Sequence, residues 1–163
     1  QRGFMFRALS EFISDISGGR RDTSAFEEND YRLAAAVLLV HVMAIDGAVT
    51  EEERSVLSTI LSARFDLSAA ETEALVELAI ARDAEAVDLY AFTSILNRAL
   101  DDEGRLRVVE MMFEVAYADG GLTEFEDNLV WRAAELLNIG SRDRVRIRRE
   151  VRKEAEADGG HKS

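Results

Sequence analysis

The chain has 163 residues, of which 32 are acidic and 20 are basic, and it contains neither cysteine nor proline. This length buries about two-thirds of the surface that the unfolded chain exposes, so we expect one self-standing domain or a compact pair of half-domains. The lack of cysteine excludes disulfides and thiolate zinc sites, and the 25 acidic against 8 basic residues between positions 22 and 139 argue against nucleic-acid binding by this acidic body.

Apolar residues recur every three or four positions along the chain, and Ala, Leu, Glu and Arg dominate its composition. This periodicity predicts an all-α fold, a compact bundle of about seven to eight helices. The longest apolar run, residues 33–45, is shorter than the roughly 20 residues of a membrane-spanning helix. We therefore expect a soluble, cytoplasmic protein.

The first predicted helix covers residues 4–16 and is amphipathic, and a polar linker up to residue 29 joins it to the second helix. The second helix is predicted over residues 30–46. Gly47 follows it, as expected of a helix that closes with a left-handed residue. His41 lies on this helix, and we interpret it as a partly buried structural histidine rather than a metal ligand.

Three Ser/Thr-x-x-Glu pairs mark the starts of the third, fourth and seventh predicted helices. In such a capping box the hydroxyl accepts a hydrogen bond from the Glu amide, and the carboxylate accepts one from the Ser or Thr amide. The pairs are Thr50 with Glu53, Ser68 with Glu71, and Thr123 with Glu126. We expect all three boxes to form.

The remaining helix starts are predicted at short polar residues, which favour the N-cap position. Asp83 is expected to cap the fifth helix, Asp101 or Asp102 the sixth, and Ser141 the last. Large aromatic side chains usually fill the interior of a helical bundle. We therefore expect three of them in or near the core: Tyr90, Phe92 and Trp131.

The last predicted helix follows Gly140, beyond the expected end of the seventh helix at Asn138, and has seven basic residues between positions 142 and 153. Its apolar residues make an imperfect stripe: Val145, Ile147, Val151 and Ala155. We interpret this helix as solvent-exposed, with a positive charge that balances the negative charge of the acidic body. Its removal is therefore expected to leave the bundle folded. The alternative is an arm for anionic lipid, nucleic acid or an acidic partner. Residues 152–163 are predicted to form a polar tail.

Two octets repeat at a spacing of 73 residues, DGAVTEEE at 46–53 and DGGLTEFE at 119–126. Each lies at a predicted corner between two helices, which gives two similar hairpins in repeat units of about residues 30–65 and 103–139. We expect them to build a helical domain over residues 30–151 with approximate internal two-fold symmetry. Their apolar faces should meet in the middle: Val37, Leu38, Val42 and Ile45 from one hairpin, and Val109, Met112, Phe113 and Ala116 from the other.

The octets match the second half of the calcium-loop pattern, which contains an acidic ligand, a glycine and a closing glutamate. The candidate metal ligands are Asp46, Glu53, Asp119 and Glu126. In the first half of the pattern, apolar residues occupy the ligand positions: Val42, Ala44, Val115 and Tyr117. Since calcium takes about six to eight oxygen ligands, neither octet is a complete site, and other carboxylates or waters would have to contribute.

Helix capping explains most of the same residues without a metal. Glycine closes one helix, Thr and Glu form a box on the next, and Val49 or Leu122 packs as a hydrophobic staple. Only Asp46 and Asp119 stay unexplained, because a carboxylate at a helix C-terminus faces the negative end of the helix dipole. Each aspartate either accepts hydrogen bonds from free amides of the next helix or takes part in a weak divalent-cation site. No catalytic motif is present, so no catalytic residue and no enzyme activity is predicted.

The octets and the sequence around them resemble the tellurite-resistance TerB family. The resemblance covers about residues 30–151 and rests on "YRLAAAVLLVHVMAIDG", on "VEMMFEVAYADGGLTEFEDNLVWRAAELLNI" and on the repeated ADG-x-[LIV]-x-x-x-E pattern. In particular, the chain is similar to stand-alone TerB-like proteins of α-proteobacteria. In the first copy, Ile45 replaces the usual alanine before Asp-Gly.

This resemblance implies an all-helical fold and a cytoplasmic, non-enzymatic role in bacterial stress response or tellurite resistance. It implies metal binding by acidic residues that correspond here to Asp46, Glu53, Asp119 and Glu126. It also implies scaffolding of protein partners in a stress-response assembly, including assemblies at membranes, and a homo-oligomer is compatible with it. We therefore expect an interaction module with an acidic surface, and the competing hypothesis is a protein that binds or senses a divalent cation.

Overall fold

Seven α-helices and one short 3₁₀ turn make up the part of the chain that the computed structural model describes, which is residues 26–27, 30–85, 88–118 and 122–162. Of Asp46 and residues 158–162 only the backbone is described. The helices are α1 (Tyr31–Met43), α2 (Glu51–Phe65), α3 (Ala69–Glu85), α4 (Leu89–Ala99), α5 (Asp102–Ala118), α6 (Glu124–Leu136) and α7 (Ser141–Lys162), and the 3₁₀ turn is Ala44–Asp46. The all-α prediction is confirmed for these residues, and the predicted helix over residues 4–16 lies outside them.

Helix α1 is the central helix of the bundle and is apolar on every side. All of its residues except Tyr31 and His41 are buried, and it contacts α2, α3, α4, α5 and α6. A helix that is hydrophobic all round belongs in an interior, because no side of it gains by facing water. The one charged residue buried in it, Arg32, pairs with the N-cap residue Asp30 at 2.8 Å and lies 4.6 Å from the ring centre of Phe26.

Helix α5 supplies the other half of the core and packs directly against α1. The residues of the two apolar faces predicted from the repeat are all buried in one core, apart from Ile45, which is exposed beyond the end of α1. Phe113 is among the largest fully buried side chains. The internal two-fold symmetry stays a prediction.

Helix α7 packs along α5, and this corrects the interpretation of α7 as a solvated helix that the bundle can lose. Ile147 and Val151 are only 4% and 3% exposed and belong to the core, whereas Val145 is 41% exposed. Residues 147 and 151 lie one turn apart on the same side of the helix, so this side of α7 packs into the core. The helix continues to Lys162 without a break at the predicted boundary after residue 151.

Several predicted helix boundaries are wrong by a few residues. Asp83 does not cap a helix, because α3 continues through it to Glu85. The N-cap of α4 is Asp88, whose carboxylate accepts the Tyr90 N–H at 3.0 Å. Asp101 caps α5 and accepts the Gly104 N–H at 2.9 Å.

The predicted end of the seventh helix at Asn138 is the left-handed residue that closes α6. Asn138 has φ 64°, and the Ile139 N–H donates to the Ala134 carbonyl at 2.9 Å, which is the bond of a Schellman helix end. Gly140 instead precedes α7, and its carbonyl accepts the Arg144 N–H at 3.0 Å. Gly140, rather than Ser141, therefore holds the N-cap position of α7.

The aromatic side chains are less buried than the sequence suggested. Tyr90 is 61% exposed in the first turn of α4, so its prediction as a core residue is wrong. Phe92 and Trp131 are half-buried and lie at the edge of the bundle. An aromatic residue near a helix start can point outward, because one turn of a helix faces both core and solvent.

Candidate functional site

The first acidic corner, Gly47–Glu53, begins where α1 tightens into the 3₁₀ turn and Gly47 reverses the chain. Gly47 has φ 149° and ψ −163°, and its N–H donates to the Ala44 carbonyl at 3.1 Å. This is extended backbone of positive φ, so the predicted left-handed helix end at Gly47 is wrong. A side chain at this position would meet no atom within 4 Å, so glycine is required by its backbone angle and not by space.

Both corners start their second helix with the predicted capping box. In the first corner, Glu53 Oε1 accepts the Thr50 N–H at 2.9 Å, and Thr50 Oγ1 accepts the Glu53 N–H at 3.1 Å. In the second corner the same two bonds join Thr123 and Glu126 at 3.0 and 3.1 Å. The prediction is confirmed for both corners, so Thr and Glu of each octet have a structural role.

A third capping box shows that Thr and Glu form this structure without the Asp and Gly of the octet. Ser68 and Glu71 make the same pair of bonds, at 2.9 and 3.1 Å, at the turn between α2 and α3. That turn has no Asp-Gly before it and reverses the chain at Asp66, whose φ is 55°. Capping therefore needs neither Asp46 nor Asp119, and it does not account for these two aspartates.

The structure describes two of the four predicted metal ligands in full. Glu53 is half-buried and Glu126 is buried, and in each case Oε2 accepts no hydrogen bond from a described residue. The side chain of Asp46 and the whole of Asp119 lie outside the described residues. The four-residue set thus stays a prediction.

Exposed acidic residues accompany each capping box. Glu51 and Glu52 in the first turn of α2, and Glu124 in the first turn of α6, are exposed and form no ion pair with a described residue. Negative charge is stabilised there because the first turn of a helix presents free N–H groups and the positive end of the dipole. These carboxylates are held on helices anchored in the core and are free to contact a partner.

One exposed aromatic side chain at the second corner was not predicted from the sequence. Phe125 is 73% exposed in the first turn of α6, beside Glu124. The signal was present in the repeat, because a shift of 73 residues places Phe125 on Glu52, which is a solvent-facing position. The second corner therefore offers an apolar contact that the first corner lacks.

One arginine bridges α2 and α5 between the two hairpins. Arg64 forms an ion pair with Glu110 at 3.0 Å and a hydrogen-bonded ion pair with Glu114. Burial raises the pKa of Glu114 above its usual value, and the contact with Arg64 offsets this only in part. Burial works against the charge of Arg64, but the two glutamates outweigh it and raise the pKa of the guanidinium. This half-buried charge cluster ties the first hairpin to the second.

His41 is half-exposed and pairs with Asp83, its Nδ1 lying 2.8 Å from Asp83 Oδ1. The pair borders a cavity of about 70 Å³ whose other walls are mainly apolar, including Leu38, Leu89 and Phe92. Ligand pockets of enzymes usually enclose about 300–1,000 Å³, so this cavity is small. The structural interpretation of His41 fits this pairing, which joins α1 to α3.

A stacked group of four residues, which the sequence did not predict, joins α6 to α7. Trp131 Nε1 donates to Asp127 at 3.1 Å, and the guanidinium of Arg144 lies 4.4 Å from the centre of the Trp131 ring. Arg144 also donates to the Trp131 carbonyl at 3.1 Å, and Arg148 Nε lies 3.8 Å from Asp127. The basic helix is thus attached to the helix that carries the second corner.

Within the described part of the chain, no group of three or more His, Asp or Glu side chains is arranged to hold a metal ion. The described helices include none that is both long enough and apolar enough to cross a membrane. The sequence model of one protein family, described as Tellurite resistance protein TerB, matches residues 32–149, which is well over half of the chain. Comparisons with curated proteins and with solved structures gave no match.

Proposed function

We propose, from the premise that this chain belongs to the tellurite resistance protein TerB family, that it is a non-enzymatic stress-response module that binds partner proteins through its acidic corners. The observation that carries this proposal is that the glutamates of each octet have different roles. Glu53 and Glu126 are used in capping, whereas Glu51, Glu52 and Glu124 are exposed and have no described ion-pair partner. The exposed carboxylates are the chemically free part of the repeat.

The corners suit recognition of a basic or amphipathic protein segment. Their carboxylates project from first turns whose backbone is already fixed by two capping hydrogen bonds. Little backbone conformational entropy is therefore lost when a partner binds. At the second corner, Phe125 adds an exposed aromatic surface beside Glu124. Aromatic residues are enriched in protein–protein interfaces, where a polar rim surrounds the apolar contact. The partner belongs to a cytoplasmic stress-response assembly, including assemblies formed at a membrane.

The test compares two charge-matched variants in affinity enrichment from the bacterial host. One variant is Glu51→Gln/Glu52→Gln/Glu124→Gln at the corners, and its control is Glu73→Gln/Glu77→Gln/Glu103→Gln, three exposed glutamates elsewhere. We expect the wild type and the control to retain the same proteins and the corner variant to lose them. Three exposed charges are worth about 1–2 kcal/mol together, which is about five- to thirty-fold in affinity. Equal retention by both variants refutes the proposal.

A second candidate function is weak binding or sensing of a divalent cation by Asp46, Glu53, Asp119 and Glu126. The observation that favours it is that Glu53 and Glu126 each keep one carboxylate oxygen free of described hydrogen bonds. Calcium prefers about six to eight oxygen ligands, so water or neighbouring carboxylates would complete the shell.

Calorimetric titration with calcium, magnesium, manganese and zinc tests this second function. The wild type is compared with Asp46→Asn/Asp119→Asn, and Asp66→Asn/Asp88→Asn serves as a control of equal charge. Cation binding predicts a dissociation constant of about 10⁻⁴–10⁻³ M or tighter that only the first variant weakens. Binding weaker than this, or binding that the first variant leaves unchanged, excludes the octets as a cation site.

A further inference from the structure

The cavity beside His41 gives access from outside to the central helix of the bundle. Val37 and Leu38 of α1 line it and are 2% and 0% exposed, so its inner wall is part of the core. Leu89 and Phe92 of α4 supply the rest of its apolar wall. The cavity thus lies over α1, between α3 and α4, and its volume is about 70 Å³.

The polar side chains that line the cavity are acidic apart from His41. Asp83 uses one carboxylate oxygen for His41 Nδ1, at 2.8 Å, and its other oxygen accepts no hydrogen bond from a described residue. Asp88 caps α4, where Oδ1 accepts the Tyr90 N–H at 3.0 Å, and it forms no ion pair with a described residue. Because the His41 side chain is 47% exposed and Asp88 is exposed, the cavity opens to solvent beside two carboxylates.

The volume of the cavity limits what can fill it. A closed cavity of about 150 Å³ holds one benzene ring, so about 70 Å³ admits about three carbon atoms, and the opening leaves room for a fourth. Even at the highest affinity per atom that small ligands reach, a molecule of about four non-hydrogen atoms binds no tighter than about 4 × 10⁻⁵ M. A small aliphatic side chain, such as that of valine or leucine, has the same size and gains the further contacts of the segment that carries it.

An apolar strip of α4 continues from the cavity. Phe92, Ile95 and Ala99 follow one another at three- and four-residue spacing, so they lie on the same side of the helix. Phe92 and Ile95 are half-buried and Ala99 is exposed. From Leu89 to Ala99 the strip is about 15 Å long, at 1.5 Å per residue. A protein segment that enters the cavity can therefore continue its contact along α4, which a molecule of four atoms cannot do.

The charge around the cavity selects a basic segment. Asp83 and Asp88 lie at its opening, and residues 22–139 contain 25 acidic and 8 basic residues. A basic partner is attracted by this field as it approaches, whereas an acidic partner is repelled. A second copy of this chain, with a net charge of −12, is repelled as well.

We infer that the cavity is the docking site for a basic segment of another protein, whose aliphatic side chain fills the cavity while a neighbouring Lys or Arg pairs with Asp83 or Asp88. A few anchor side chains that fill pockets supply most of the affinity of a protein interface. The site uses none of the glutamates of the acidic corners, so it is a second contact surface and does not depend on the function proposed for the corners. The bond between His41 and Asp83 stays in place and orients the Asp83 carboxylate at the opening.

NMR titration of the full chain with the peptide acetyl-Gly-Arg-Leu-Arg-Gly-amide tests the inference. In ¹H–¹⁵N spectra we expect saturable shifts of the amide signals of Leu38, His41, Leu89 and Phe92, with a dissociation constant of about 10⁻⁴–10⁻² M. A peptide with glycine in place of leucine should bind at least about tenfold more weakly, because it buries no side chain. No saturable shift of these signals up to about 10⁻² M peptide, or equal binding of the glycine peptide, overturns the inference.

Two variants with matched controls locate the contact. Asp88→Asn removes a charge at the opening and keeps the cap of α4, because asparagine caps about as well as aspartate. It should weaken peptide binding about two- to fivefold, whereas Asp66→Asn, at the turn between α2 and α3, should change it by less than about twofold. Val37→Ile adds a carbon atom to the cavity wall and should weaken binding about fourfold, and Val56→Ile on α2 should have no effect. Unchanged binding by both Asp88→Asn and Val37→Ile overturns the inference.

Two further measurements keep the result independent of misfolding and of the acidic corners. A thermal unfolding midpoint no lower than that of the wild type shows that Val37→Ile is folded, and if the midpoint falls, the comparison of the leucine and glycine peptides decides. The corner variant Glu51→Gln/Glu52→Gln/Glu124→Gln should bind the peptide at the cavity as the wild type does. If the peptide instead shifts only signals of the corners and this variant loses it, the inference falls and the proposed function stands. Cavity binding by a protein whose corners retain no host protein supports the inference and refutes the proposed function.

Discussion

Replacing Ile147 by alanine tests whether α7 belongs to the bundle. Ile147 is 4% exposed in the contact between α7 and α5, and the substitution removes three carbon atoms. Each buried methylene is worth about 0.8 kcal/mol, so transfer alone accounts for about 2.4 kcal/mol, and the cavity that remains raises the cost to about 3 kcal/mol. For a chain of this length, that loss lowers Tm by about 6–12 °C.

The assay is urea unfolding followed by far-UV circular dichroism, with the free energy of unfolding obtained from the midpoint and the slope. Val145→Ala is the matched control, because Val145 lies on the same helix and is 41% exposed. Its effect should stay within about 0.5 kcal/mol. If Ile147→Ala costs no more than Val145→Ala, the packing of α7 on α5 is refuted and the helix is dispensable, as the sequence alone suggested.

Three further perturbations test the corners and the half-buried charge cluster of Arg64, Glu110 and Glu114. Thr123→Ala removes the cap of α6 and should lower the free energy of unfolding by about 1 kcal/mol in urea titration, and an unchanged value refutes the box. Gly47→Ala should cost about 1–3 kcal/mol because of its positive φ. Gly140→Ala meets no steric strain and loses only the N-cap preference for glycine, so it should cost about 0.5 kcal/mol, and equal costs refute the strain at Gly47. The raised pKa of Glu114 gives the folded protein stability at low pH that is lost as pH rises through that pKa. Glu114→Gln should therefore gain stability relative to the wild type between pH 4.5 and pH 7, and a relative loss over this range refutes the direction of the shift.

Local hydrogen-bond chemistry was predictable from the sequence, and tertiary partners were not. The capping boxes formed as predicted because hydroxyl and carboxylate lie three residues apart, so the bonds depend on no other part of the chain. Asp83 failed as a cap for the opposite reason. Its partner, His41, is 42 residues away in sequence, and no local pattern distinguishes an aspartate that caps from one that pairs across the bundle.

Burial was predictable where apolar residues are dense and not where they are sparse. From α1 the sequence predicted one apolar face, and the structure buries nearly the whole helix because it is apolar on every side. In α7 only Ile147 and Val151 reach the core. Seven basic residues surround them, so two apolar residues are too few to form a recognisable helical periodicity in the sequence. Of the candidate metal site, Glu53 and Glu126 were placed at their corners as expected, and Asp46 and Asp119 stay predictions.

The stacking of Arg144 on Trp131 gives the protein a natural optical probe. The chain has a single tryptophan, and it lies where α6 meets α7, under a guanidinium and hydrogen-bonded to Asp127. Its fluorescence therefore reports the attachment of one helix to one corner, whereas circular dichroism averages over all the helices. A fluorescence transition that precedes the loss of ellipticity during unfolding would mean that α7 separates first, and coincident transitions would mean that the bundle and its last helix unfold as one cooperative unit.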